Sequence, residues 1–150
     1  MKLRKISWEE VVNMVGKLAN EIGSRNVDVV VGIGSSGLIP AVLLHKLLKT
    51  SEFYGIMVKL YDEGKPPKRL FPKPLILQEL SPSRIRGKKI LVVDDFASTG
   101  STLRLVKEYL KLCGASKVIT AVLVKMRKCT ELVDYYAIES ESCVIFPWNL

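Results

Sequence analysis

Cysteine, histidine and long apolar runs are all scarce in this sequence of 150 residues. The three cysteines are an odd number and lack metal-ligand spacing, which favours a reducing compartment. No run of about 18 apolar residues is present, so we expect no membrane span. Residues 1–7 also lack the apolar core of a signal peptide. These absences predict a cytoplasmic protein without a membrane partner.

The sequence likewise lacks internal repeats, low-complexity tracts and a recognisable linker. At roughly 100–200 residues per domain, its length predicts one domain that spans 1–150. Apolar residues make up 48% and charged residues 25% of the chain. This is an ordinary globular composition, and it excludes a disordered protein.

Acidic residues are outnumbered: 15 Asp and Glu face 23 Lys and Arg, which gives a net charge of +8. Such a surface attracts nucleic acid, an anionic membrane or a small phosphorylated substrate, although a solvated basic surface is the simplest interpretation. Basic residues cluster at 65–73, 84–89 and 125–128. They are not interleaved with aromatic side chains as is typical of proteins that bind single strands, so nucleic acid is not the expected partner.

Short apolar runs and helical periodicities alternate along the chain. The runs predict strands at 29–33, 53–60, 75–77, 90–93, 118–124 and 134–138. The periodicities predict helices at 8–22, 38–49 and 102–113, the first with a capping box formed by Ser7 and Glu10. This alternation predicts an α/β fold with a parallel sheet covered on both faces. In such sheets ligands bind at the carboxyl ends of the strands.

Two segments interrupt this pattern. The stretch 61–89 holds five of the seven prolines and many charges, which is typical of a functional lid or a disordered loop. The stretch Asp94 to Gly100 reads as a polar turn between a strand and a helix.

The polar turn carries the most informative chemistry. Backbone N–H groups at a helix start attract an anion, and small or hydroxylated residues allow a phosphate to approach them. Asp94 and Asp95 would repel that phosphate, but they can accept hydrogen bonds from sugar hydroxyls or hold a divalent cation. The segment therefore predicts a sugar-phosphate site. The predicted phosphate-binding residues are Ala97, Ser98, Thr99, Gly100, Ser101 and Thr102.

The segment 90–103 resembles the phosphoribosyl-pyrophosphate signature of type I phosphoribosyltransferases. The rest of the chain is similar to the short prokaryotic xanthine–guanine and hypoxanthine enzymes of that family. The stretch 31–41 resembles their pyrophosphate loop, and 134–136 with 144–148 resembles their C-terminal hood over the base. The stretch 61–89 falls where the family has a flexible catalytic loop. The resemblance assigns Gly34, Ser35, Ser36 and Gly37 to pyrophosphate, and Lys125, Cys143 and Val144 to the base.

The resemblance implies a purine phosphoribosyltransferase of nucleotide salvage. Such an enzyme transfers ribose-5-phosphate from phosphoribosyl pyrophosphate to a purine and releases pyrophosphate. Asp94 and Asp95 would be its catalytic residues and would also hold Mg²⁺. A homo-oligomer is the assembly that the family implies.

Three positions depart from the family pattern. Ser35 stands where an arginine is usual, Ser98 where the 6-oxopurine enzymes carry an aspartate, and Cys143 where an aromatic residue often stacks on the base. Ser98 leans towards adenine, whereas Lys125 suits a 6-oxo group. An adenine-selective enzyme therefore remains an alternative, as does a regulatory protein that binds phosphoribosyl pyrophosphate. Transfer to a pyrimidine or orotate is a third interpretation, and the C-terminal hood is evidence against it.

Overall fold

The computed structural model describes residues 3–59, 75–78 and 80–149, and they build a sheet between two helical layers. In chain order the elements are β1 (Arg4–Lys5), α1 (Trp8–Ile22), β2 (Val29–Gly34), α2 (Leu38–Leu48), β3 (Glu52–Lys59), β4 (Leu75–Gln78), β5 (Lys89–Ala97), α3 (Ser101–Leu112), β6 (Lys117–Met126), β7 (Tyr135–Ser140) and β8 (Val144–Ile145). Short 3₁₀ helices lie at Ser24–Asn26 and Pro82–Arg84. Within the described ranges, no helix is long and apolar enough to cross a membrane.

The central sheet has six strands in the order β4-β3-β2-β5-β6-β7. All neighbours are parallel except β4, which pairs antiparallel with β3 at the edge. Side chains alternate along β5: Leu91 and Val93 join the core under α1 and α2, whereas Ile90 and Val92 join the core under α3. Because both faces are covered, the predicted α/β fold with a mainly parallel sheet is confirmed.

The first helix begins and ends as its sequence predicts. Ser7 Oγ accepts a hydrogen bond from Glu10 N at 3.1 Å, and the Glu10 carboxylate accepts one from Ser7 N at 3.3 Å. Gly23 ends the helix with a φ of 74°. These contacts satisfy backbone donors that the first turn would otherwise leave free.

A second, two-stranded sheet forms the C-terminal hood. Strand β8 pairs parallel with β1, and Ile6 N donates to Ile145 O at 2.8 Å just beyond the pair. Phe146 follows β8 and is buried against the core under α1. The end of the chain is thereby fixed to its beginning. A two-residue strand such as β1 gives no periodicity from which it could have been predicted.

The prediction of a polar turn from Asp94 to Gly100 is wrong for its first half. Strand β5 continues to Ala97, because Asp94 and Phe96 still pair with Val122 and Val124 of β6. The two acids therefore lie in the strand itself, and only the three residues up to Gly100 turn towards α3. Of the predicted irregular stretch 61–89, residues 61–74 and 79 lie outside the described residues, and the strand predicted at 75–77 is present as β4.

Candidate functional site

The carboxyl ends of β2 and β5 lie side by side, and each strand runs through a short turn into a helix. Two adjoining cavities of about 210 Å³ and 240 Å³ open there, and they share Asp94, Asp95 and Thr102. The first is also lined by Ile33, Gly34, Ser35, Ser36 and Val58. The second is also lined by Phe96, Ser98, Thr99, Gly100, Ser101 and Leu103. Of the residues predicted to bind diphosphate and phosphate, all but Gly37 and Ala97 line one of these cavities beside the acidic pair. The Ala97 side chain is instead buried in the core under α3.

The acidic pair is half-buried, and little positive charge lies near its two carboxylates. Burial and the neighbouring carboxylate hold the pKa of Asp94 well above its usual range, and burial also raises the pKa of Asp95. Asp95 N donates to Asp94 Oδ1 at 2.8 Å, and the Trp148 indole N–H donates to Asp95 Oδ2 at 3.0 Å. Two carboxylates held together at this cost favour a ligand that brings hydroxyl donors or positive charge.

The same pair fits a magnesium ion. Mg²⁺ is commonly held by one or two carboxylates together with substrate phosphates and water. The described parts of the chain bring together no group of three or more side chains that could ligate a metal. Asp94 and Asp95 could therefore supply the protein's share, and the remaining ligands would come from substrate and water.

The two helices that begin beside the acids differ at their starts from α1. At α1 the capping box and two acidic residues occupy the first turn. At α2 and α3 the N-cap residue is a glycine, Gly37 or Gly100, which has no side chain to cap the helix, and neither first turn contains an acidic residue. At α2, Leu38 N and Ile39 N donate to Ser35 O and Ser36 O, and Pro40 has no N–H, so this start offers an anion the positive end of the helix dipole rather than free helix donors. At α3, Ser101 N donates to Thr99 Oγ1, whereas Thr102 N and Leu103 N have no partner among the described residues and lie at the second cavity, as an anion site requires.

Gly37 brings the first turn into contact with the acidic pair. A Cβ at this position would lie 2.4 Å from Ile33 O and 2.7 Å from Asp94 Oδ1. The peptide bond between Gly34 and Ser35, at the start of this turn, is cis. Only the absence of a side chain at Gly37 allows the turn to approach Asp94 so closely.

We expect Gly37→Ala to lower turnover by about 10²-fold, because the turn and Asp94 must move apart to admit the methyl group. Steady-state kinetics and thermal melting of the variant check this. Gly16→Ala is the matched control, since Gly16 lies within α1 with nothing inside 4 Å of its would-be Cβ. It should keep full turnover and stabilise the helix by about 0.5–1 kcal/mol. Equal turnover in the two variants would contradict the contact.

The second turn is held by its own hydroxyls. Thr99 Oγ1 donates to Ser101 Oγ at 3.1 Å and accepts from Ser101 N at 3.3 Å. Gly100 has a φ of 88°, in the left-handed region. Its backbone lies against the loop after β6, where Glu131 and Cys129 are the nearest side chains. No local pattern in the sequence predicted that this loop supports the turn.

The residues predicted to bind the base do not line either cavity. Lys125 is the penultimate residue of β6 and pairs with Ala97, but its Nζ lies 3.3 Å from Glu139 Oε1 and 5.2 Å from the centre of the Tyr136 ring. Cys143 is exposed, and Val144 is half-buried in the hood. Lys125 would have to leave Glu139 to reach a base, so its role remains a prediction.

Trp148 is a site residue that sequence reasoning missed. It lies 53 positions from the acid it contacts, and only its place in the hood-like C-terminal segment could have suggested it. Its ring stacks on Phe146, with centroids 4.7 Å apart and planes 7° apart.

Comparison with known proteins identifies relatives of the whole chain. A family model described as "Phosphoribosyl transferase domain" matches residues 7–150. The crystal structure of a purine phosphoribosyltransferase from Pyrococcus horikoshii superposes with a TM-score of 0.82 at 31% identity, covering 99% of this chain and 94% of that one. A xanthine-guanine phosphoribosyltransferase from Chromohalobacter salexigens is 28% identical over 150 residues, which cover 97% of this chain and 83% of the relative.

A regulator is also among the relatives. The transcriptional regulator GfcR of Methanococcoides burtonii is 31% identical over 125 residues, which cover 82% of this chain but 56% of that protein. The family match nevertheless extends over the acidic strand end, both turns and the hood. The resemblance drawn from the sequence is confirmed, and the chain belongs to the phosphoribosyl transferase domain family.

Proposed function

We propose that this protein is a purine phosphoribosyltransferase of nucleotide salvage, which transfers ribose-5-phosphate from phosphoribosyl pyrophosphate to a ring nitrogen of a purine. The observation that carries the proposal is the acidic pair Asp94 and Asp95 between the starts of α2 and α3, whose N-cap residues are glycines. The names of the relatives point to the same reaction.

Each part of the substrate has a matching surface. The 5-phosphate would bind the turn 97–102 and the start of α3, and the diphosphate would bind the turn 34–37 and the start of α2. The ribose would lie between them, with its hydroxyls donating to Asp94 and Asp95. The bond from C1′ to the diphosphate oxygen breaks as the bond from C1′ to the purine nitrogen forms. Positive charge that develops on the ribose ring is stabilised by the adjacent carboxylates.

Magnesium is part of this proposal. The family generally uses Mg²⁺ with phosphoribosyl pyrophosphate. Here Asp94 and Asp95 would hold the ion, whose charge makes the diphosphate a better leaving group. A cytoplasmic homo-oligomer is the setting that the family resemblance implies, and we include it in the proposal.

The observations that bear on the choice of base favour two different purines. The curated relatives named above favour a 6-oxopurine, and so does an ammonium group at Lys125 once it is released from Glu139. Ser98 favours adenine, because a hydroxyl without an activating partner cannot exchange a proton with the ring nitrogen. A regulator that binds phosphoribosyl pyrophosphate is the second candidate function, and the relative named as a transcriptional regulator favours it.

A base panel tests the proposal directly. The protein is incubated with phosphoribosyl pyrophosphate, Mg²⁺ and one of hypoxanthine, guanine, xanthine, adenine or orotate, and released pyrophosphate and nucleotide are measured. We expect turnover with a 6-oxopurine and none with orotate. Turnover restricted to adenine would select the alternative substrate. Tight binding of phosphoribosyl pyrophosphate in calorimetry without pyrophosphate release for any base would select the regulator.

We expect Ser98→Asp to raise turnover of hypoxanthine or guanine by about 10²-fold, because it places a general base in the second cavity. Ser98→Asn is the matched control, since it has the same shape without a titratable group. Steady-state kinetics with each base separates the two variants. If they behave alike, residue 98 does not face the ring nitrogen.

A further inference from the structure

The hood and the acidic pair are joined by one hydrogen bond. The Trp148 indole N–H donates to Asp95 Oδ2 at 3.0 Å, which links the C-terminal segment to the end of strand β5. In the ranges that the structure describes, no lysine or arginine forms an ion pair with Asp95. The indole is therefore the side-chain donor that fixes this carboxylate.

The indole has little freedom to turn away. Phe146, stacked on one face, is buried in the core under α1, and the Trp8 ring lies 5.6 Å away at an angle of 58°. Asn149 closes the turn that carries Trp148: its side chain accepts from Phe146 N at 2.9 Å, and its own N–H donates to Phe146 O at 3.0 Å. The N–H direction is set by packing before any ligand binds.

A neutral donor suits a carboxylate that must keep its charge for the substrate. An indole N–H donates one hydrogen bond and accepts none, so it orients one carboxylate oxygen without bringing a positive charge. A lysine or arginine at the same place would compete with the positive charge that develops on the ribose. Fixing the carboxylate in advance reduces the reorganisation needed when the sugar binds.

We propose that Trp148 is a positioning residue, whose hydrogen bond holds the Asp95 carboxylate in the orientation that receives the ribose. The proposal rests on the proposed function, because it takes Asp95 to be a ribose-binding group. It makes the hood part of the sugar site as well as a cover for the base.

The test compares Trp148→Phe with Trp8→Phe. Both variants lose one indole, but among the described side chains only Trp148 donates from its ring to Asp95. We expect Trp148→Phe to weaken binding of guanosine monophosphate in calorimetry by about tenfold or more, as for loss of a hydrogen bond to a charged group. It should lower kcat while KM for the base changes little. Trp8→Phe keeps an aromatic ring beside Trp148 and removes no hydrogen bond to Asp95, so it should retain wild-type affinity and kcat.

A double-mutant cycle distinguishes positioning from general packing. In an Asp95→Ala background, which removes the acceptor that an asparagine amide oxygen would keep, Trp148→Phe should cause no further loss of nucleotide affinity. The same fold-loss in both backgrounds, or wild-type affinity in Trp148→Phe, would overturn the inference. If Asp95→Ala alone leaves affinity and turnover unchanged, the proposed function loses its ribose-binding acid, which is a different failure.

Nuclear magnetic resonance tests the contact without relying on the Trp148 variant. The protein has two tryptophans, so two indole ¹⁵N–¹H signals are expected. Asp95→Asn should shift the Trp148 signal and leave the Trp8 signal nearly unchanged, and guanosine monophosphate should shift the Trp148 signal in the wild type. An unmoved Trp148 signal in both experiments contradicts the proposal.

Discussion

Replacing Asp94 and Asp95 together by asparagine is expected to lower turnover by about 10³-fold or more. The amides keep the size of the carboxylates, but they remove the negative charge beside the developing positive charge of the ribose. Removing one preorganised electrostatic group typically costs about 10²–10³-fold. Pyrophosphate release under saturating substrates measures the effect.

The fold should survive this double change. Burial and mutual repulsion raise the pKa of Asp94, so its ionised form is disfavoured by folding. A carboxyl whose pKa is raised in the folded state lowers stability as pH rises above its unfolded pKa, and this loss is complete only above its folded pKa. A neutral amide removes that loss. The melting temperature of the variant at pH 7 should therefore equal or exceed that of the wild type.

A control with the same charge change separates the site from net charge. Glu21→Gln with Glu141→Gln also removes two negative charges, both from exposed ion pairs. Exposed pairs contribute only about 0–1 kcal/mol each, so stability and turnover should hardly change. Near-wild-type turnover in the Asp94 and Asp95 variant would refute their assignment.

The order of helices and strands could be predicted from the sequence where the apolar patterns are long. Strands β2, β5 and β6 contain buried apolar runs, and the capping box of α1 fixes its start in both sequence and structure. Boundaries were less predictable at Asp94 and Asp95. Their polarity suggested a turn, but β6 continues alongside and pairs with their backbone. Strand pairing overrode the local preference of aspartate for turns.

The site was predictable only in part, because a sequence pattern reports local chemistry and not contacts between distant segments. Residues 94–102 and 34–37 are contiguous segments whose local chemistry marks them, and all of them except Ala97 and Gly37 line the two adjoining cavities. Trp148 and Glu131 reach the site through long-range packing, which no local pattern encodes. Lys125 was assigned from resemblance alone, and its pairing with Glu139 depends on the register of β6 with β7.

Gly100→Ala is expected to abolish measurable binding of nucleotide product. The residue has a φ of 88°, which costs an L-residue roughly 1–2 kcal/mol. Its new Cβ would also lie 2.3 Å from Glu131 Cβ and 3.1 Å from Cys129 Sγ. Either the loop after β6 or the turn before α3 must move. A movement of that turn also displaces the start of α3. Calorimetry with guanosine monophosphate and with phosphoribosyl pyrophosphate measures the loss.

Gly87→Ala separates backbone strain from the site. Gly87 has a φ of 74°, but nothing lies within 4 Å of its would-be Cβ, and it precedes β5 at the opposite end from the cavities. Both variants should lose comparable stability from strain, and the clash adds further loss at Gly100. Gly87→Ala should bind nucleotide like the wild type. Unchanged affinity in Gly100→Ala would mean that the phosphate does not bind at the turn before α3.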